Sequence, residues 1–554
     1  MANNEKEASI EKGITDVELQ DDDLTKLNTE SGVNKAYELK CQLVNQCLQE
    51  EIGFGRYQIE LFVLTGFGWL ADNLWLQGVA IVLPQVQQEL NPVRVEFATL
   101  ALYVGLIIGA SVWGVLADLI GRRVSFNITL FLAGVFGIAS AASPNFTTFG
   151  ALVACLGFGV GGNLPVDGAL YLENIPGSSQ WTLTLLSAWW AIGQLVASVI
   201  AWGFIGNFSC AADIPVGQCP KAENMGWRYT FYTLGALTLL MFIFRFFVFN
   251  LQESPKYLIA NGRDEEAINV LEHLARKNGK TMTLTLDQLQ AVSGNSTLPP
   301  KSILQVVRES FSHVSLSHVK PLFAGRKLAV NTTIVIFLWG IIGLAYPLFS
   351  AFLPFYLRDR VPSGDSSVST TYRNYTIVSV LGVPGSLIAC AVVDWTRRTG
   401  GYSFGGRKLV MAVSTTLTGV FLFLFTTSNS QAAVLGYTCT TAVTSYVSYI
   451  ILFCIIPYIR LVDEILHTKM YGVLYAYTPE VFPAPHRGTG GAIASSFNRI
   501  TGILSPVIKI ATTSAVGATG ANANGPIYVS ASLFLVAALL MLFLPIETAG
   551  KAAL

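Results

Sequence analysis

Long apolar stretches separated by short polar turns run along most of the chain. A membrane-crossing helix needs roughly 20 mostly apolar residues. Stretches of that kind lie near 60–85, 96–118, 123–142, 146–171, 181–206 and 229–250. A polar stretch over 251–328 interrupts them, and apolar runs resume at 329–357, 373–394, 406–427, 431–477, 489–515 and 526–546. The pattern predicts an all-α membrane protein with 12 transmembrane helices in two six-helix bundles. The expected units are an N-terminal tail (1–50), a first bundle (51–250), a linker (251–328), a second bundle (329–546) and a short C-terminal tail (547–554). Inside the linker, Ala267, Ile268, Leu271, Leu274 and Ala275 recur at helical spacing, and Gly279 lies just beyond them. That predicts one amphipathic helix lying along the faces of the bundles.

Composition agrees with a membrane protein. Of 554 residues, 52% are hydrophobic and 13% charged, whereas about a quarter are charged in soluble domains. The 35 basic and 35 acidic residues cancel, so no nucleic-acid partner is expected. No early apolar run precedes Lys26, so entry by the first span is expected rather than a cleaved leader. Basic residues crowd alternate turns: Arg122 and Arg123, then the linker, then Arg397, Arg398, Arg407 and Lys408. Positive residues favour the cytoplasmic side. Both termini and the linker are therefore expected in the cytoplasm.

The opposite turns carry the sequons of Asn145, Asn207 and Asn374, candidate glycosylation sites. Cys210 and Cys219 share one of these turns, as a disulfide or as two free thiols. None of the eight cysteines has metal-like CxxC spacing, and no metal or cofactor is expected.

The two halves echo each other. "GVLADLIGRR" (Gly114–Arg123) closes the second span and "ACAVVDWTRR" (Ala389–Arg398) the eighth. Asp118 precedes Arg122 and Arg123, as Asp394 precedes Arg397 and Arg398, with the spacing shifted by one. A carboxylate beside guanidinium groups at a helix end forms charge-assisted bonds able to latch helix ends together; a plain positive-inside turn is the alternative. "YLENIPGSSQW" (Tyr171–Trp181) and "YTPEVFPAPHRG" (Tyr477–Gly488) each place a Glu, Glu173 or Glu480, three residues before a Pro. Parallel repeats of this kind mark transporters with a midplane site between the halves.

These motifs resemble those of the major facilitator superfamily. "GVLADLIGRR" is similar to its loop signature, and "QESPKYL" (Gln252–Leu258) to the PESPR-type signature of sugar-porter-like members. "YTPEVFP" with Arg487 is similar to the signature of the second half. "IGFGRYQIELFVLTGFGWLAD" (Ile52–Asp72) and "WWAIGQL" (Trp189–Leu195) resemble the branch of the synaptic vesicle proteins and bacterial nicotinate-type permeases, in a fungal version. The resemblance covers about 51–545 and implies an alternating-access carrier, usually proton-driven, working as a monomer in the plasma membrane. It further implies a cytoplasmic gate of Asp118, Arg122, Arg123, Glu173, Glu253, Arg263, Asp394, Arg398, Glu480 and Arg487.

The chain departs from the pattern in three places. Gln252 and Lys256 replace a Pro and an Arg, and the Arg usual after Glu173 is missing. Residues 447–469 add 23 residues inside the tenth span, including Arg460, Asp463, Glu464 and Lys469. An insertion, such as a translated intron, or a looped-out segment would account for them.

Ionisable residues inside spans are functional candidates by default. Asp72 and Asp167 are two such residues, and Arg499, after Asn498, is a third. Arg245 and Lys509 lie nearer span ends, where they can snorkel. Loss of hydration favours the protonated form of a carboxylate, so Asp72 is the leading proton site; bonding to a neighbouring helix is the alternative. The fourth-span Arg that often partners such an Asp is missing. Gln77, Trp190 and Gln194 are candidates for holding a solute, Trp190 also matching the family pattern in the fifth span. "GFGVGG" (Gly157–Gly162) lies in an apolar span and reads as close helix packing, not a nucleotide loop. With no nucleophile–base pair among the five His, an enzyme is not expected. The reading is a secondary transporter of a small organic solute, with a non-transporting sensor of the same fold as the alternative.

Overall fold

The computed structural model describes residues 35–546 except 121, 180, 212–213, 249–250, 261, 292–318, 360–366, 383–406, 429–430, 447–473, 475–476, 479–480, 483–486 and 515–523. The expected insertion, 447–469, thus lies outside the described residues. Among those residues every regular element is helical. A short helix α1 (Lys35–Gln46) leads into the first span, α2 (Arg56–Leu90). There follow α3 (Glu96–Ile120), α4 (Arg122–Ala141), α5 (Phe146–Gly161), α6 (Asn163–Glu173), α7 (Ser187–Ile205) and α8 (Gly226–Ile243). The linker holds α9 (Pro255–Ala260) and α10 (Asp264–Lys277). The second half contains α11 (Gly325–Ser350), α12 (368–382), α13 (Arg407–Thr426), α14 (Gln431–Tyr446), α15 (Arg487–Gly502), α16 (Leu504–Ser514) and α17 (Gly525–Leu542).

Seven of the described helical stretches are long and apolar enough to cross a membrane. The first expected span is not among them, and it carries several polar residues. Along α2 lie Asp72, Asn73, Gln77, Gln85 and Gln88, all buried. Polar groups are costly against lipid and tolerable against protein. A helix that packs on α6, α7 and α8 can carry them.

Two expected spans are broken rather than continuous. The fourth splits at Gly162, three residues before Pro165, and the eleventh at Ile503, three before Pro506. Proline lacks the N–H for the bond to residue i−4 and its ring crowds that carbonyl, so the preceding turn opens. Helices α3 and α5 approach so closely that a Cβ at Gly105 or Gly109 would strike the carbonyls of Ala154 or Phe158. Gly157 and Gly161 face Leu102 and Leu106 in the same way, so "GFGVGG" is a packing face.

The linker builds a small helical unit on one face of the bundle, called here the linker face. Ala267, Ile268, Leu271, Leu274 and Ala275 are buried in an apolar cluster with Val44, Leu48 and Ile52. Lys40 of α1 pairs with Asp264 of α10 at 2.5 Å. Asn278, just past α10, accepts a bond from the Tyr57 amide at 3.0 Å and donates to Gln58 Oε1 at 2.8 Å. The first turn of α2 is thereby clamped by the linker.

At the opposite face Cys210 and Cys219 form a disulfide. Asn145 and Asn207 are exposed there, Asn145 capping α5 through a bond from the Thr148 amide at 2.9 Å. Asn374 departs from expectation. It is buried, 3% exposed, inside α12, so an oligosaccharide has no access to its amide and it is not a glycosylation site.

Candidate functional site

Among the described residues the two halves meet along several helix pairs. Helix α3 packs on α15. Helix α2 meets α11 through Gln77, which donates to Tyr346 Oη at 3.2 Å and accepts from Tyr375 Oη of α12 at 2.5 Å. Helix α7 meets α12 where Thr376 donates to the Ser198 carbonyl at 3.1 Å. Tyr372 also reaches the Ile81 carbonyl at 2.9 Å.

Between these pairs lies a cavity lined by residues of both halves, including Asp72, Gln77, Trp190, Tyr346, Asn498 and Arg499. Its volume is about 60 Å³. That is space for a few waters at roughly 10–15 Å³ each, whereas ligand pockets run to roughly 300–1,000 Å³. A solute larger than that can enter only if the halves part.

Asp72 sits on the cavity wall, 2% exposed, and accepts a bond from Trp190 Nε1 at 2.7 Å. The adjacent Asn73 donates to the Trp190 carbonyl at 2.8 Å, so two consecutive residues of α2 grip one residue of α7. The Trp190 ring stacks on Tyr346, centroids 6.0 Å apart and planes 28° from parallel. From the other half Arg499 reaches in, 6% exposed, with one N–H on the Leu106 carbonyl at 2.9 Å. Asn498 beside it donates to the Trp339 carbonyl at 2.8 Å and fixes α15 to α11. The structure therefore brings Asp72, Gln77, Trp190, Asn498 and Arg499 to one cavity. The basic residue sharing it with Asp72 comes from the eleventh span, not the fourth.

Gln194 and Asp167 are elsewhere. Gln194 turns to α12, its Nε2 3.5 Å from Ser379 Oγ. Asp167 forms an ion pair with Arg245 at 2.7 Å, both side chains 0% exposed. Arg245 lies in a wide π turn, Phe244–Val248, and donates to the carbonyls of Leu64 at 2.8 Å and Phe126 at 2.6 Å. Its guanidinium covers the Phe126 ring at 3.2 Å. It does not snorkel, because those buried acceptors balance its charge inside the bundle. Lys509 lies over the Tyr356 ring, 4.6 Å from its centroid.

At the linker face Arg122 forms an ion pair with Glu173. Glu253 accepts from the backbone amides of Arg122 and Arg123, each at 3.2 Å, and so caps the start of α4. Arg263 pairs with Glu266 at 2.5 Å in the open, not with Glu253; that bond holds the Glu266 carboxyl below its usual range. Asp394, Arg398 and Glu480 lie outside the described residues, as do the side chains of Asp118 and Arg487.

One cluster escaped the sequence reading. At the disulfide face Arg228 of α8 pairs with Glu89 of α2 at 2.5 Å and donates to the Ala141 and Ser143 carbonyls. Trp227 Nε1 also bonds Glu89, at 2.8 Å. The available signal was a carboxylate and a guanidinium at same-side ends of two spans, which reads as ordinary boundary charge.

Comparison with known proteins agrees with this architecture. The model of the Major Facilitator Superfamily matches residues 61–475. The chain is 44% identical to "MFS siderochrome iron transporter 1" of Ceriporiopsis subvermispora, over 94% of this chain and 93% of that one. It is 27% identical to the synaptic vesicle 2-related protein of Rattus norvegicus, over 91% and 81%. Among solved structures it is similar to the E. coli xylose transporter in a partially occluded, inward-open conformation, with TM-score 0.61, 16% identity, and 89% of this chain and 99% of that chain covered.

Proposed function

The chain belongs to the major facilitator superfamily, and from that premise we propose that it carries a small organic solute by alternating access, driven by a proton gradient. It is a multi-pass membrane transporter of that superfamily. The observation that carries the coupling is Asp72. A carboxylate at the wall of a small cavity between two halves takes and releases a proton where movement of the halves changes its access to water. The bond from Trp190 ties that carboxylate to α7, so its protonation is felt by two helices that line the site.

The remaining features support the same reading. Twelve spans would place the linker unit and both termini in the cytoplasm. The disulfide, with Asn145 and Asn207, would then face outward in the plasma membrane. The Arg122, Glu173 and Glu253 cluster would be the first-half part of the cytoplasmic gate of a monomer. A small solute is expected; the xylose and siderochrome carriers among its relatives leave its chemistry open.

The test is uptake in a transporter-deficient yeast, screened over solutes at two pH values. Asp72→Asn should abolish uphill, proton-driven uptake while leaving exchange of solute for solute. Uphill uptake by Asp72→Asn at the parental rate and pH profile would sink the proposal.

A further inference from the structure

We infer that Thr283 is a phosphorylation site of the linker face, modified by a kinase that selects basic residues, and that its phosphate unhooks the linker from the approach to the first span. This region lies away from the cavity, and the inference needs neither a solute nor a coupled proton. After α10 the chain runs from Lys280 to Thr285 without helix or turn. Thr281, Thr283 and Thr285 are exposed, whereas Met282 and Leu284 are half-buried against the apolar cluster of α1 and α10. Exposure that alternates with period two belongs to an extended chain, here with its threonines on the open side. Such a segment can enter the cleft of an enzyme that acts on a side chain. Of the three threonines only Thr283 has a basic residue three positions before it, Lys280, with Arg276 and Lys277 further back. Lys280 and Arg276 are exposed. Kinases choose substrates by charge patterns of this kind.

Thr283 also holds a joint. Its amide donates to Glu51 Oε2 at 2.6 Å, and its hydroxyl donates to Glu51 Oε1. Glu51 belongs to a π turn, Cys47–Ile52, that leads from α1 toward α2. Among the described residues no cation pairs with Glu51. Phosphoryl transfer forms a bond from Thr283 Oγ1 to the γ-phosphorus of a nucleoside triphosphate and breaks the bond from that phosphorus to the bridging oxygen. The hydroxyl proton passes to a base of the kinase, and a nucleoside diphosphate leaves. The donor that faced Glu51 is then gone. In its place stand acceptor oxygens carrying a charge of about −1.5 to −2, beside a carboxylate. With no cation on Glu51 to offset it, the repulsion opens the joint and frees the segment from the π turn.

The test uses the full chain in detergent, a purified kinase that selects a basic residue three before the acceptor, and ATP labelled in its γ-phosphate. Mass spectrometry should place the label on Thr283, and Lys280→Glu should reduce it. Hydrogen exchange then reads the joint. In the phosphorylated chain the Thr283 amide should exchange at least ~10-fold faster, the loss of one charge-assisted bond, and the amides of 47–52 should speed up with it. Thr281→Glu, which adds a charge to a side chain that does not touch Glu51, should leave both as they were. Glu51→Lys should restore slow exchange to the phosphorylated chain, because the phosphate then meets a cation. No label on Thr283, exchange unmoved by the phosphate, equal acceleration by Thr281→Glu, or no recovery in Glu51→Lys would overturn the inference. Access by a kinase needs the linker face in the cytoplasm, as proposed above; labelling of the solubilised chain tests the site apart from that reading.

Discussion

Asp167 and Arg245 show how residue type and residue role separate. Each is fully buried, and a buried charge is tolerable only with its partner and its hydrogen bonds in place. Gly68 makes the pair possible, since a Cβ there would overlap the Asp167 carboxylate. Asp167→Ala should therefore lower stability by about 3–5 kcal/mol, the cost of stranding a buried charge. Thermal unfolding in detergent checks this, and Asp167→Asn with Arg245→Met should recover much of the loss. A single variant that melts with the parent would show that the pair carries no structural weight. Asp167 was legible as an ionisable residue in a span, but its partner was not. The sequence places Arg245 near a span end, and only the packing of α4, α6 and α8 turns it inward.

Helices were legible because their cause is local. The linker helix runs over Asp264–Lys277, where the spacing of apolar residues put it. What ends and joins helices was less so. Glu253 lies more than a hundred residues from the start of α4, yet it satisfies two of the amides that a helix N-terminus leaves unpaired. Its charge also favours that end of the helix dipole. Glu253→Ala should slow uptake several-fold at equal surface expression, and Glu253→Gln, which keeps an acceptor, should fall between. Initial rates in yeast check the order. Equal rates in all three proteins would mean that the cap does not bear on the transport cycle.

At the scale of the molecule, the described contacts between halves include those of α2 with α11 and α12, of α3 with α15 and α16, and of α7 with α12. With a cavity of about 60 Å³ between them, entry of a solute requires those contacts to break. A pair of cysteines tests this at the end of α7. A Cβ at Gly206 would lie 3.3 Å from Ser369 Oγ, and a small shift of the turn at Gly206 takes it off the Trp202 carbonyl, 2.5 Å away; Gly206→Cys with Ser369→Cys should then form a disulfide on oxidation. Uptake should stop when the bridge forms and return on reduction, with the parent chain as control for its own disulfide. Full uptake with the bridge complete would place the moving contacts elsewhere.

By itself the sequence determined the class of molecule, the number and rough limits of its apolar stretches, and the family motifs. These depend on hydropathy and spacing within one segment, which neighbours in the fold cannot alter. Only the tertiary structure decided which polar residues share a space. It set Asp72 in one cavity with Arg499, drew Asp167 away to Arg245, buried Asn374 and brought Glu89 to Arg228. In a membrane-spanning bundle each buried charge is settled by the rotation of its helix about its own axis. That rotation follows from packing among helices distant in the chain, and no local pattern records it.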